Sequence, residues 1–271
     1  MLVVGGAAGM GRGISRVAAR RGARVVVADI DAAAARETVA EIRQAGGEAA
    51  FVRCDSSDPD DAAAAVAATI ELYGRLDCAV NNAAIEGPKV NLEDLTIPEW
   101  DRVLAVNLTG VWHCMREQIA VMRRSGGGTI VNTSSVAGFS GLPGRPAYNA
   151  AKHGVVSLTK SAAIEFGRAG IRVNCVCPGF MRTPMSERIN GARLEAAASR
   201  GSLLGRVAEI DEMGEAVVWL ASDASSYVQG AVLPVDGGLA ARGYYAEDPG
   251  WGDVLFPRET EPNVVQNPSA P

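Results

Sequence analysis

Leu2–Asp29 reads LVVGGAAGMGRGISRVAARRGARVVVAD: two apolar runs joined by a glycine-rich turn and a patterned segment. Leu2-Val3-Val4 is short and continuously apolar, as strands buried on both faces are. It runs straight into Gly5-Gly-Ala-Ala-Gly9-Met10-Gly11. Arg12 to Arg21 is amphipathic at helical spacing, and Arg24–Ala28, RVVVA, is a second buried strand ending on Asp29. Strand, glycine turn, helix and strand make a right-handed crossover unit of a parallel sheet. A turn of this kind brings backbone N–H groups at a helix N-terminus within reach of phosphates. Glycine is required there because a Cβ would hold a pyrophosphate away. The spacing G-x-x-x-G-x-G departs from the Rossmann fingerprint G-x-G-x-x-G.

Asp29 lies about twenty residues beyond the turn, where an acid hydrogen-bonds adenosine ribose hydroxyls. Its carboxylate would repel a 2′-phosphate, and neither Ala8 nor Ile30 supplies a compensating base. NAD is therefore expected over NADP, with Ile30 beside the ribose. Asp31 is the better candidate to cap the helix that runs to about Ala45.

The same alternation continues to Val235. AAFVRC is a third strand leading to Asp55-Ser56, placed to reach an adenine edge, and a helix follows from about Asp58 to Tyr73. Leu76–Val80 is a fourth strand, and the small residues after Asn81-Asn82, Ala83 and Ala84, allow close backbone approach. Thr96-Ile-Pro-Glu99 combines a capping box with an early proline and opens one long helix to about Arg124. Asn107 falls in its middle, a poor place for asparagine unless its amide has a partner. TIVNTSS, from Thr129 to Ser135, is the fifth strand. A Gly/Pro loop leads to a helix from Tyr148 to about Phe166 with two weakly polar faces, one for the sheet and one for a subunit interface. Ile171–Val176 is the sixth strand, followed by Pro178-Gly179, Met181 and Thr183-Pro184. Residues 185–205 lack strand pattern and are expected to form a lid. A helix from Glu209 to Ala221 and a strand from Ala231 to Val235 complete a doubly wound, parallel, seven-stranded α/β sheet. Residues 1–238 are thus expected to be one Rossmann-like domain and 239–271 a tail. The four large aromatics of 239–257 predict that this part of the tail docks on the body or on a neighbouring subunit.

The chemistry gathers at strand ends, where such sheets bind ligands. Tyr148 and Lys152 are four apart and share one helical face. A phenol with a pKa near 10 is a poor base at neutral pH, and an ammonium one turn away is expected to lower that value. Ser135 can face the same point, so the three could exchange a proton with an alcohol or ketone and hydrogen-bond its oxygen.

At 271 residues with a net charge of −5, the chain suits a single large core and excludes nucleic-acid or anionic-membrane surfaces. It has no apolar run of about 18 residues and no basic, apolar leader at its start. Five cysteines without a C-x-x-C spacing read as buried free thiols of a cytoplasmic protein. Cys175 and Cys177, two apart in a strand, are expected to share a face. With only two, well-separated histidines, no metal site is expected.

Taken in order, Gly5-x-x-x-Gly9-x-Gly11, Asn81-Asn-Ala, Asn107, Ser135, Tyr148-x-x-x-Lys152 and Pro178-Gly179 resemble the short-chain dehydrogenase/reductase family over about residues 2–238. The resemblance implies reversible hydride transfer between NAD and a secondary alcohol or ketone in a homodimer or homotetramer. It implies Tyr148 as acid/base and Ser135, not Ser134, as the residue orienting the substrate oxygen. Lys152 would lower the phenol's pKa and hold the nicotinamide ribose, Asn107 would support a water in the proton relay, and Thr183 would meet the carboxamide. The substrate would sit among Glu86, Val136, Phe139, Leu142 and Met185. Val4 stands where the family usually has threonine, Ala84 where it has glycine, and the first strand is shorter than usual. A reductase of carrier-protein thioesters is the nearest alternative, yet it usually takes NADP and a basic docking patch. A catalytically idle NAD-binding protein would be expected to have lost Tyr148 or Lys152.

Overall fold

The computed structural model describes residues 1–241, of which Met1–Ala240 form one compact unit. The chain opens with β1 (Leu2–Val4), α1 (Gly9–Arg20) and β2 (Val25–Asp29), then α2 (Ala32–Gln44), β3 (Ala49–Arg53), α3 (Pro59–Tyr73) and β4 (Cys78–Asn81). Next come α4 (Ile97–Leu104), α5 (Gly110–Arg124), β5 (Gly128–Thr133), α6 (Pro146–Phe166) and β6 (Ile171–Pro178). The described part closes with α7 (Pro184–Asn190), α8 (Leu194–Gly201), α9 (Ile210–Ala221) and β7 (Val232–Val235). Among the described residues seven strands form one parallel sheet in the order β3-β2-β1-β4-β5-β6-β7. The order reverses between β1 and β4, which opens a crevice at the strands' C-terminal ends.

Side chains alternate between two apolar layers, one on each face of the sheet. Leu2, Val4, Val26 and Ala28 pack with Val66, Met115 and Val155 of α3, α5 and α6. Val3, Val25 and Val27 pack with Ile14, Val39 and Val217 of α1, α2 and α9. Burial on both faces is why these strands are apolar without interruption. Cys175 and Cys177 lie in the same layer, and the cysteines are unpaired. Asp31 caps α2 by accepting from Ala33 and Ala34 N–H at 3.1 Å, which leaves Asp29 free for the crevice.

Four features differ in detail from the sequence reading. The helix expected from Thr96 to Arg124 is interrupted at Ala105–Thr109 by a π-helical turn. One extra residue there aims the Asn107 amide sideways, and it exchanges two 2.8 Å hydrogen bonds with the Ile85 backbone. β5 stops at Thr133 because the Ser135 hydroxyl accepts from Ala137 N–H at 3.2 Å and starts a 3₁₀ turn. α6 begins at Pro146, since proline fits a first helical turn. Finally, α7 and α8 fill the segment read as a lid. The expected docking of 239–257 falls, beyond Ala241, outside the described residues.

A buried polar network ties α5 and α6 to the middle of the sheet. Asn81 donates to Gln118 at 3.0 Å and to Asn132 at 2.9 Å, and Gln118 donates back at 2.8 Å. Asn132 donates to Thr159 at 2.9 Å, and Thr159 to the Val155 carbonyl at 2.8 Å. Each member is satisfied, which is the condition for such a network to stabilise. Gln118→Leu should leave the Asn81 amide short of partners and cost roughly 2 kcal/mol in denaturant unfolding. A stability unchanged from the parent would show that water replaces the lost bonds.

Candidate active site

The crevice is a cleft of about 1050 Å³ reaching from Asp29 and Asp55 to Tyr148 and Leu239. At one end the glycine turn is shaped by close contacts. Gly5 has φ +72°, and a Cβ on it would lie 2.5 Å from the Ala83 backbone. A Cβ on Gly11 would lie 1.9 Å from the Gly5 carbonyl oxygen. Gly5 is therefore demanded by backbone conformation and space, and Gly11 by space alone. Asp29 accepts from Ala7 N–H and from Asp31 N–H, each at 3.0 Å, and Ile30 beside it is exposed. Asn82 donates to the Gly5 carbonyl at 2.8 Å, fastening β4 to the turn. A glycine turn packed too closely for a Cβ, opening on the cleft and edged by a carboxylate, fits the adenosine and pyrophosphate of a dinucleotide.

At the other end the chemical groups converge. Ser135, Tyr148 and Lys152 all line the cleft, as do Pro178, Gly179, Met181 and Thr183. Ser134 also borders the cleft, but its hydroxyl donates to the Lys152 carbonyl at 2.8 Å, whereas Ser135 is the serine hydrogen-bonded to the Tyr148 phenol. Lys152 is 1 % exposed and donates to the Thr133 carbonyl at 2.9 Å, with Nζ 5.5 Å from the centre of the Tyr148 ring. Desolvation pushes the Lys152 ammonium down to about 8. Burial pushes the Tyr148 phenol above its usual value, while its hydrogen bond with Ser135 and the Arg145 guanidinium pull it back. The expected lowering by Lys152 is not found: desolvation dominates, and the groups easing the phenol are Ser135 and Arg145.

Most of the expected residues meet here. Gly5, Gly9, Met10, Asp29, Ile30, Asp55, Ser56, Asn82, Ala83 and Ala84 all border the cleft. Gly11 does not, and its part is the close turn-to-helix contact. Asn107 does not either, because its amide is consumed by Ile85. Of the expected substrate contacts, Glu86, Val136, Leu142 and Met185 border the cleft and Phe139 does not. The Thr183 hydroxyl accepts from Ser186 N–H at 3.0 Å and caps α7.

Comparison with known proteins shows the family and the fold. A family model described as enoyl-(acyl carrier protein) reductase matches residues 5–240. The 2,5-dichloro-2,5-cyclohexadiene-1,4-diol dehydrogenase of Sphingobium indicum (strain B90A) is 43% identical over 244 residues, 89% of this chain and 96% of that protein. The chain belongs to the short-chain dehydrogenase/reductase family. Levodione reductase has a crystal structure that superposes with a TM-score of 0.84 at 36% identity, covering 89% of this chain and 96% of that one. A polyketide ketoreductase solved with NADPH superposes at 0.83 and 34% identity, covering 88% and 96%.

The two departures of this short-chain dehydrogenase/reductase from the family pattern lie at the end of β1, Val4, and after β4, Ala84. Val4 is 2 % exposed and packs in the core. The bracing that a threonine would give there comes instead at Ala7, whose N–H is held by Asp29 and whose carbonyl accepts from Thr38 at 2.8 Å. Ala84 has no positive φ, so its Cβ brings no backbone strain. Thr38 and Arg145 escaped the sequence reading. Each is a polar residue in or beside a helix, and only its distant partners mark it out.

Proposed function

We propose that this short-chain dehydrogenase/reductase interconverts a secondary alcohol and a ketone with NAD as cofactor. The observation that carries the reading is the meeting of Ser135, Tyr148 and Lys152 in a cleft whose far end presents a glycine cradle and Asp29. In alcohol oxidation Ser135 and Tyr148 hydrogen-bond the substrate hydroxyl, and Tyr148 accepts its proton. A bound nicotinamide supplies the hydride acceptor. Lys152, desolvated beside the phenol, holds the ribose and keeps positive charge next to the forming phenolate. Asn107 contributes through its backbone, since its side chain fixes Ile85. Thr183 meets the carboxamide and α7–α8 close over the substrate. The Sphingobium indicum relative is named for a cyclohexadiene diol, which makes six-membered ring alcohols the first substrates to assay.

The choice of NAD rests on Asp29, because one neighbouring fold was solved with NADPH. The unmutated protein should use NAD far better than NADP with cyclohexanol. Asp29→Ser with Ile30→Arg should lower that ratio of kcat/KM by at least tenfold by replacing a repelling charge with an attracting one. An NADP preference in the unmutated protein would overturn the assignment.

We also propose a homodimer or homotetramer, supported by Trp112 on α5 and Ile164 on α6, which are 45 % and 84 % exposed. The five free thiols support a reducing, cytoplasmic setting. No helix among the described residues is long and apolar enough to cross a membrane.

A further inference from the structure

Arg145 occupies the N-cap of α6, and Tyr148 stands three residues on, in the first turn of that helix. A cap residue and the third helical residue face each other across the first turn, the geometry that capping boxes use. Arg145, Tyr148 and Glu86 all border the cleft. Arg145 is 8 % exposed, and its Nη2 is paired with the Glu86 carboxylate. Glu86 is itself held in place, because the Asn107 amide takes both backbone groups of Ile85 next to it. The ion pair is therefore fixed at both ends, by a helix start and by a clamped loop.

Charges held in such a pair are screened little by water and salt, so each acts on the neighbouring phenol. The Arg145 guanidinium favours the phenolate, and the Glu86 carboxylate favours the protonated phenol. The other charged groups around Tyr148 are less suited to this task. Lys152 donates to the Thr133 carbonyl with Nζ 5.5 Å from the centre of the Tyr148 ring, and its ammonium, pushed down to about 8, is lost at alkaline pH. Cys175 and Cys177 of β6 act on Lys152. On α4, which packs against α6, Glu99 accepts from Thr96, and Asp101 and Arg102 are exposed. Lys89, three residues after Glu86, and Arg188 of α7 border the cleft from exposed positions. Solvent screens these exposed charges. A guanidinium, by contrast, keeps its proton throughout the working range.

We propose that Arg145 is a positioning residue, held by Glu86 and the Asn107 clamp so that a permanent cation stands beside the Tyr148 phenolate as it forms. Glu86 is the counterweight that sets how strongly this cation acts. In this role Arg145 works through Tyr148 and needs no contact with the substrate. The inference rests on the reading of Tyr148 as acid/base, but it has a readout apart from turnover.

The test titrates the phenol directly, as the rise of tyrosinate absorbance with pH in the protein with NAD and no substrate. Each protein is compared with its own Tyr148→Phe version, so that the difference isolates Tyr148. Arg145→Gln should move the midpoint up by about one pH unit or more, because Glu86 is then unopposed. Glu86→Gln should move it down, because the guanidinium is then unopposed. The double variant Arg145→Gln/Glu86→Gln should fall between the two, and Arg145→Lys should return the midpoint towards the parent. The midpoint of kcat for cyclohexanol oxidation should follow the same order. Loss of packing alone gives no reason for opposite shifts in two variants of one ion pair. If Arg145→Gln does not fold, the downward shift in Glu86→Gln and its reversal in the double variant carry the test. One midpoint shared by the parent and all folded variants, or shifts of one sign in both single variants, would overturn the positioning role and leave the dehydrogenase reading standing. The expected order of midpoints in a protein that oxidises no alcohol would sustain the role and remove the reading.

Discussion

Tyr148→Phe should lower kcat for alcohol oxidation by about 10³-fold or more while NADH affinity, followed by fluorescence titration, stays within about threefold of the parent. The substitution removes one oxygen from a ring that keeps its place in the cleft. The lost group is the one proposed to take the substrate proton. Burial pushes the phenol above its usual value, and Ser135 and Arg145 only partly offset this. Oxidation needs the phenolate and ketone reduction needs the phenol. The oxidation rate should therefore still be rising above pH 8, while the reduction rate should fall at the alkaline end. Retention of more than a tenth of the parent turnover in Tyr148→Phe would move the proton transfer to another group. A pH profile identical in the two directions would do the same.

The second large effect couples activity to stability. Lys152→Met should lose turnover by about 10²-fold or more, yet without cofactor the variant should be the more stable protein at pH 7. Lys152 is desolvated by its burial, and its pKa falls from 10.5 to about 8. The sign follows from proton counts. Between pH 8 and 10.5 the unfolded chain holds more of this proton than the folded one, so stability rises with pH across that window. Below about pH 8 the cost of folding around the ammonium is present in full, on the order of 3 kcal/mol. The hydrogen bond to the Thr133 carbonyl, worth roughly 1 kcal/mol, is lost in the variant. The net gain of about 2 kcal/mol should raise Tm by roughly 4–8 °C at pH 7 and fade towards pH 10.5. A lower Tm in the variant at pH 7, or a difference independent of pH, would show that Lys152 is better solvated than its 1 % exposure implies. Catalytic groups held at a cost to stability are a recurrent trade-off in enzymes.

Much of this site was legible before any coordinates, for local reasons. Gly5, Gly9 and Gly11 stand out because a turn between a strand and a helix restricts which residues fit. The Tyr148/Lys152 pair is visible through helical periodicity, and Asp31 declared itself as a cap by preceding an Ala-rich run. These signals live within a few residues of one another. Asn107 was visible only as an anomaly, a poor helix residue without an evident partner. The chain could not say that a π turn would aim it at Ile85.

What the sequence by itself determined is the architecture: uninterrupted apolar strands such as Leu2–Val4 and Val25–Ala28 require cover on both faces, and the patterned segments between them supply it. It also determined the order of motifs along the sheet's C-terminal edge. Only the tertiary structure decided which polar groups meet inside. Asn81 finds Gln118 and Asn132 from 37 and 51 residues away. Arg145 finds Glu86 from a distant part of the chain, and Lys152 loses its water by burial. The physical reason is that apolar burial is non-directional, so its pattern can be read from spacing alone. Hydrogen bonds and desolvation depend on distances of a few ångströms between residues that only the folded chain brings together.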